Sequence, residues 1–281
     1  MKVISLINMK GGVGKTTLAT NLCDCLSKRN KKKVLLVDID PQFNSTQCLF
    51  SGDEYVQYLK DKKDTIINVF DDTTRTSTST VNGISQSNSR ELKDIKPFKF
   101  KDDFYLLPGN LELYKLNMPS GSGRENRLKK YLQQINKEEK FDYVFIDTPP
   151  TPSVWMTSAL LASDYYLIPV KPDPISFVGI DLLESIINSK REDYDLKIKC
   201  IGLVFSMVEG EDSIVYRKAL EQVESNKWNN LKFAKYIPKR TDVAKYQLNK
   251  QFILDMAHSD IRTALTGIVT ELENRINNET K

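Results

Sequence analysis

The run Asn8-Met9-Lys10-Gly11-Gly12-Val13-Gly14-Lys15-Thr16-Thr17 constrains this 281-residue chain more than any other stretch. Residues 2–7 before it, β-branched and apolar, read as a buried strand. Leu18, Leu22 and Leu26, spaced four apart after it, read as one face of a helix reaching Arg29. Strand, glycine loop, Lys-Thr and helix in that order make a P-loop. Its glycines let backbone N–H groups turn inward around phosphate oxygens, and the helix N-terminus adds partial positive charge at the same place. Gly11, Gly12, Val13, Gly14, Lys15, Thr16 and Thr17 are the expected nucleotide contacts. Lys15 is placed to lie against the β- and γ-phosphates, and the Thr16 hydroxyl to ligate Mg²⁺.

Two further runs end in carboxylates. Residues 34–39 are apolar without alternation apart from Asp38, the mark of a central parallel strand, and Pro41 stops that strand just after Asp40. Asp38 and Asp40, two apart, share one side at its C-terminal end, where open α/β sheets bind ligands. Residues 143–146 are a second apolar run, ended by Asp147-Thr148-Pro149-Pro150; this is a Walker B arrangement whose carboxylate holds Mg²⁺ directly or through water. The metal candidates are therefore Thr16, Asp40 and Asp147.

The remaining pattern alternates strand and helix. Helices are expected over 124–140, 155–163, 175–189, 214–223 and 259–276, with Gly179 allowing close packing of the third. Strands are expected over 104–107, 165–170, 199–207 and 231–237, and residues 45–70 have mixed helical character, with Tyr55, Tyr58 and Leu59 packing inward. That order implies a doubly wound, mostly parallel α/β sheet flanked by helices, of the P-loop NTPase type, as one domain over 1–281. Residues 73–90, rich in Thr, Ser and Asn, read as a polar loop or excursion.

Composition removes several classes. The single histidine, His258, argues against histidine catalysis, and Cys23, Cys25, Cys48 and Cys200 lack metal-ligand spacing. No apolar run is long enough to cross a bilayer and the apolar N-terminus stops at Asn8, which predicts a cytoplasmic protein. Charge is uneven: residues 225–250 hold seven basic side chains against the single acid Asp242, suggesting a patch that faces a polyanion.

Lys10 is outside the minimal P-loop requirement. With it, the run from Lys10 to Thr17 resembles the deviant Walker A box of the ParA/MinD family of partition and positioning ATPases. Asp38-x-Asp40-Pro41-Gln42-x-Asn44 is similar to the family's second box, with Phe43 standing where a glycine is common. The resemblance implies ATP and Mg²⁺ as ligands, and a homodimer in the ATP state in which Lys10 touches the partner's nucleotide. It also implies that Asp40 positions or activates the attacking water, that Asp38 supports the site, and that Lys10, Lys15 and Asp40 carry catalysis. Pro238, at the end of the last expected strand, is the candidate base contact, and Met207, at the end of the strand before it, is a further candidate ATP contact. After Pro238 the run Lys239-Arg240-Thr241-Asp242-Val243-Ala244-Lys245 replaces the family's usual E-A-P pattern.

Output is open between two classes. A DNA-partition ATPase would bind DNA non-specifically through Arg217, Lys218, Lys239, Arg240 and Lys245, associate with the nucleoid in its ATP state, and work with a centromere-binding, ParB-like adaptor. Only nine residues precede Lys10, so an N-terminal helix-turn-helix is not expected. A MinD-like membrane-positioning ATPase would need a basic, strongly apolar C-terminal helix; residues 271–281 hold three glutamates and few large apolar groups, so no membrane contact is expected.

Overall fold

β1 (Lys2–Leu6), β2 (Val34–Asp38), β3 (Phe98–Lys101), β4 (Phe104–Leu107), β5 (Tyr143–Asp147), β6 (Tyr165–Val170), β7 (Lys199–Val208) and β8 (Ile237–Pro238) form one sheet. Their spatial order is β3-β4-β2-β5-β1-β6-β7-β8. All neighbours are parallel except β3 and β4, as expected of a doubly wound sheet with one antiparallel edge. The computed structural model describes residues 1–71, 91–116, 123–173, 176–225 and 227–279, so the polar 73–90 segment lies outside the described residues.

Strand register brings the carboxylates together. Leu6 and Asp38 each pair with Asp147 on β5, so the loops after β1, β2 and β5 leave the sheet at one level. Successive side chains on these buried strands serve opposite faces. Ile4, Leu6, Val34 and Leu36 pack with α1 (Lys15–Asn30) and α10 (Ser259–Glu279). Val3, Leu35, Val37, Val144 and Ile146 pack on the other face with α4 (Ile66–Phe70), α5 (Arg127–Glu139) and α6 (Val154–Ala162). Leu18, Leu22 and Leu26 are buried as their spacing requires, and Cys23 and Cys25 are buried free thiols that pack the same helix. α2 (Asn44–Leu49), α3 (Gly52–Lys60), α7 (Ser176–Tyr194), α8 (Ile214–Glu224) and α9 (Asp242–Leu248) complete the helices.

Several sequence expectations need correction. Leu59 is 39% exposed, whereas Tyr58 is buried. A Cβ added at Gly179 would meet nothing within 4 Å, so that glycine does not serve close packing. β3 and α9 have no counterpart in the sequence reading.

The expected strand over 231–237 shrinks to Ile237–Pro238 plus one bridge between Leu203 and Lys232. Side chains of α10 take the backbone groups that a longer ladder would use. Arg275 donates to the carbonyls of Ile201 (2.9 Å), Leu231 (3.0 Å) and Lys232 (2.7 Å), and the Ala234 N–H donates to Glu271 (2.9 Å). Glu271 in turn accepts from Arg275 at 2.6 Å, holding the guanidinium fork in place. Arg275→Ala orphans three carbonyls and is expected to lower stability by about 2–4 kcal/mol. Arg275→Lys should recover less than half of that loss, because a point-charge ammonium cannot span three acceptors. Urea midpoints of the three proteins check it.

Candidate nucleotide-binding site

Polar side chains at both ends hold the loop after β1 open. Asn8 Oδ1 accepts the Lys10 N–H at 2.8 Å while its Nδ2 donates to the Pro169 carbonyl at 2.8 Å. On the far side the Ser206 hydroxyl donates to the Val13 carbonyl at 2.6 Å. Between them Gly12 (φ 68°) and Gly14 (φ 82°) adopt left-handed backbone, which a side chain would resist. Gly14 is also the N-cap of α1, with no side-chain cap. The first N–H groups of that helix therefore lack a side-chain acceptor, which is the role an anion fills.

Lys15 is buried, and its Nζ donates to the carbonyls of Asn8 (3.0 Å) and Lys10 (3.3 Å). Burial pushes its pKa down, and the neighbouring charges of Asp147 and Asp40 pull it back up. Lys10 behaves differently. Its side chain is 41% exposed and its ammonium leaves the loop to pair with Asp173.

Three aspartates stand beside the loop, and two of them, Asp147 and Asp40, act on the charge of Lys15. One oxygen of Asp147 accepts from the hydroxyls of Thr16 (2.7 Å) and Ser45 (2.7 Å), while Oδ1 is buried without a hydrogen-bond partner. Asp38 accepts from the Thr46 N–H (2.8 Å) and hydroxyl (2.8 Å), and its Oδ1 is also an orphan. The Thr46 hydroxyl accepts from the Gly109 N–H at 2.7 Å. Asp40 Oδ1 accepts the Gln42 N–H at 2.9 Å. Burial pushes all three carboxyls above their ordinary range, and repulsion from Asp147 adds to it at Asp38.

Buried oxygens without donors, in carboxylates held away from water, fit a cation. Among the described residues no group of three or more His, Cys, Asp or Glu could hold a metal by itself. Thr16 and Asp147 with phosphate oxygens and water fit Mg²⁺, which rarely uses an all-protein cage.

Phe43 is the N-cap of α2 at φ 41° and ψ 42°. A bulky residue in left-handed backbone costs about 1–2 kcal/mol. Its ring stacks on Tyr55, centroids 5.4 Å apart at 24°, and such a pair returns about 0.5–1.5 kcal/mol. Tyr55 is anchored by its hydroxyl, which donates to the Gly109 carbonyl at 2.7 Å.

Other expected residues scatter more widely. Met207, at φ 55°, packs on the loop, its Cε 3.7 Å from where a Gly14 Cβ would stand. Thr17 accepts from Gln247 of α9 at 3.4 Å. Pro238 lines a cavity of about 370 Å³ with Tyr236, Asp260 and Thr263.

The basic run is largely compensated. Lys227, Lys232, Lys239, Arg240 and Lys250 pair with Glu184, Glu224, Glu209, Asp260 and Glu54, all from outside residues 225–250. Arg217 donates to the Asp212 carbonyl, Lys218 lines an open groove with Asp173, Ile214 and Val215, and Lys245 is exposed on α9. The linear charge count therefore overstates the patch.

Sequence reasoning missed Asn8, Ser45, Thr46, Gly109, Ser206 and Gln247. Ser45 and Thr46 directly follow the second aspartate box, and that adjacency is the signal that could have found them. Nothing local marks Gln247.

If Asp147 carries the metal, nucleotide binding should depend on both. At about 100 times Kd an ATP analogue adds about 2.7 kcal/mol to stability. With Mg²⁺ the wild type should show that thermal shift and lose much of it in EDTA; Asp147→Asn should show the same small shift in both. Differential scanning fluorimetry reads this directly.

A family model described as an AAA domain matches residues 1–200. The sporulation initiation inhibitor protein Soj of Bacillus subtilis is 31% identical over 76% of this chain and 75% of its own. The virulence plasmid ParA family protein pGP5-D of Chlamydia psittaci is 27% identical over 100% of this chain and 98% of its own. A plasmid partition protein of Borrelia burgdorferi, solved with AMPPNP, shares the fold with a TM-score of 0.73 at 23% identity, covering 98% of both chains. A glycine loop with its two lysines, the strand-end aspartates Asp38 and Asp147 at one level and these likenesses agree: the chain belongs to the ParA family of P-loop ATPases.

Proposed function

We propose that this chain is an ATP-dependent partition ATPase that forms an ATP-sandwich dimer through Lys10, binds DNA non-specifically in that state, and hydrolyses ATP slowly under stimulation by a centromere-binding, ParB-like adaptor. The observation that carries the reading is the division between the two lysines. Lys15 is folded into its own loop, whereas Lys10 starts at the same loop and points to its rim, at Asp173. A cation at the rim suits a nucleotide held by a second subunit.

Mg·ATP would lie with its phosphates on the N–H groups of residues 11–17, and Lys15 would exchange the Asn8 and Lys10 carbonyls for phosphate oxygens. When bound, Mg²⁺ supplies charge neutralisation at the transferring phosphoryl group. Asp40 would orient the attacking water, Asp38 would steady α2 through Thr46, and Met207 and Pro238 would stand towards the base. Such a site works by positioning and charge stabilisation, and its two halves meet only in the dimer.

DNA contacts would come from Arg217, Lys218, Lys239, Arg240 and Lys245. Exposed ion pairs such as Lys239–Glu209 and Arg240–Asp260 are weak in water, so a DNA phosphate competes with them. A membrane role has less support. The apolar residues Ile261, Leu265, Ile268, Leu272 and Ile276 of α10 are buried against the sheet, and no helix among the described residues is long and apolar enough to cross a membrane.

Light scattering with a non-hydrolysable ATP analogue tests the dimer: Lys10→Ala should stay monomeric while still binding nucleotide. Unchanged dimerisation in that variant would sink the sandwich. DNA binding should be strong with ATP and weak with ADP. Lys239→Ala/Arg240→Ala should reduce the slope of log affinity against log salt by about 2. Binding indifferent to nucleotide would count against partition.

A further inference from the structure

We propose that Phe43 is a positioning residue for ATP hydrolysis: its ring, seated on Tyr55, holds the turn over 40–43 in the form that fixes the direction of the Asp40 carboxylate. The inference rests on the reading of Asp40 as the group that orients the attacking water.

Phe43 is a joint between two pieces of the site. Behind it, the Asp40 carbonyl accepts the Phe43 N–H at 2.8 Å, and the Asp40 carboxylate accepts the Gln42 N–H at 2.9 Å. The carboxylate is thereby tied to the backbone of the turn that Phe43 closes. Ahead of it, the Phe43 carbonyl accepts the Gln47 N–H at 3.1 Å and opens α2, whose Ser45 and Thr46 hold Asp147 and Asp38. A change of backbone at this one residue would move Asp40 relative to the other two carboxylates.

The joint is strained and clamped. At φ 41° a phenylalanine is in backbone it does not favour, and glycine would take the same turn freely. The clamp is the stack on Tyr55, which is itself tied to Gly109. Gly109 leaves no slack. A Cβ there would lie 2.5 Å from the Phe43 Cβ and 3.0 Å from the Asp38 carboxylate. Strain held by a specific contact beside a reacting group is how a loop is kept in a single working form. Glycine would permit the turn; phenylalanine with Tyr55 selects it.

The test compares steady-state phosphate release, affinity for a non-hydrolysable ATP analogue and thermal midpoint in the full chain. Phe43→Ala should lower kcat about tenfold or more while analogue affinity stays within about twofold. Tyr55→Ala should do the same, and the double variant should be no slower than the worse single one. Phe43→Tyr, which keeps the stack, should restore kcat to near wild type. The proposal is overturned if Phe43→Ala keeps full kcat, if the two alanine variants add, or if kcat falls only in step with analogue affinity and thermal midpoint. Asp40→Ala separates the two claims. Loss of turnover there with full turnover in Phe43→Ala removes the role of Phe43 alone. Full turnover in Asp40→Ala removes the assignment of Asp40 and, with it, that of Phe43.

Discussion

Burying one ammonium and three carboxylates at one edge of a sheet is the constraint on which the rest of the structure depends. An ion taken out of water without partners costs several kcal/mol, so each needs a substitute for solvent when no ligand is bound. Lys15 has the carbonyls of Asn8 and Lys10, Asp147 has the hydroxyls of Thr16 and Ser45, and Asp38 has Thr46. The match is incomplete, since one oxygen each of Asp38 and Asp147 has no donor. Ligand binding at such a site is an exchange of partners rather than the filling of a void. Phosphates would take Lys15 from its carbonyls, and a divalent cation would take Thr16 and Asp147 from each other.

α2 is the element through which that exchange is felt. It is only six residues long, yet Ser45 reaches the aspartate at the end of β5 and Thr46 the aspartate at the end of β2. Thr46 also receives the Gly109 N–H from the turn after β4, so three parallel strands report to one short helix. On the other side of the P-loop, Ser206 and Met207 at the end of β7 press on Val13 and Gly14. Phe43 and Met207 are both non-glycine residues in left-handed backbone, one in the turn after β2 and the other at the end of β7. Strain of this kind persists where the surroundings over-determine the backbone, and here the surroundings are the ligand cradle.

Most of the sheet was legible because its strands are buried on both faces and read as apolar runs, and because glycines and aspartates mark their C-terminal ends. Residues 34–38 and 143–147 show both, and residues 165–170 the apolar run alone. The P-loop and the three aspartates were legible for the same reason: each sits at a fixed offset from a strand. Legibility failed where long-range partners decide. Residues 231–236 carry strand-like side chains, but Arg275 and Glu271, some forty residues on, take their backbone groups. Ser206 and Gln247 touch the loop from about 190 and 230 residues away, and no local pattern announces either.

The basic run is the sharpest case, because charge adds along the sequence but acts in space. Five of its seven cations meet acids brought in from α3, α7, α8, α10 and the turn after β7. A surface so compensated attracts a polyanion weakly, since each contact exchanges one ion pair for another and the gain is mostly counterion release. On the partition reading that weakness is what makes the nucleotide decisive. Two weak surfaces joined in a dimer engage one duplex together, and such pairing raises avidity by about 10²–10⁴ without any new contact. ATP would then control DNA binding through the number of surfaces presented, with no need for the patch itself to change shape.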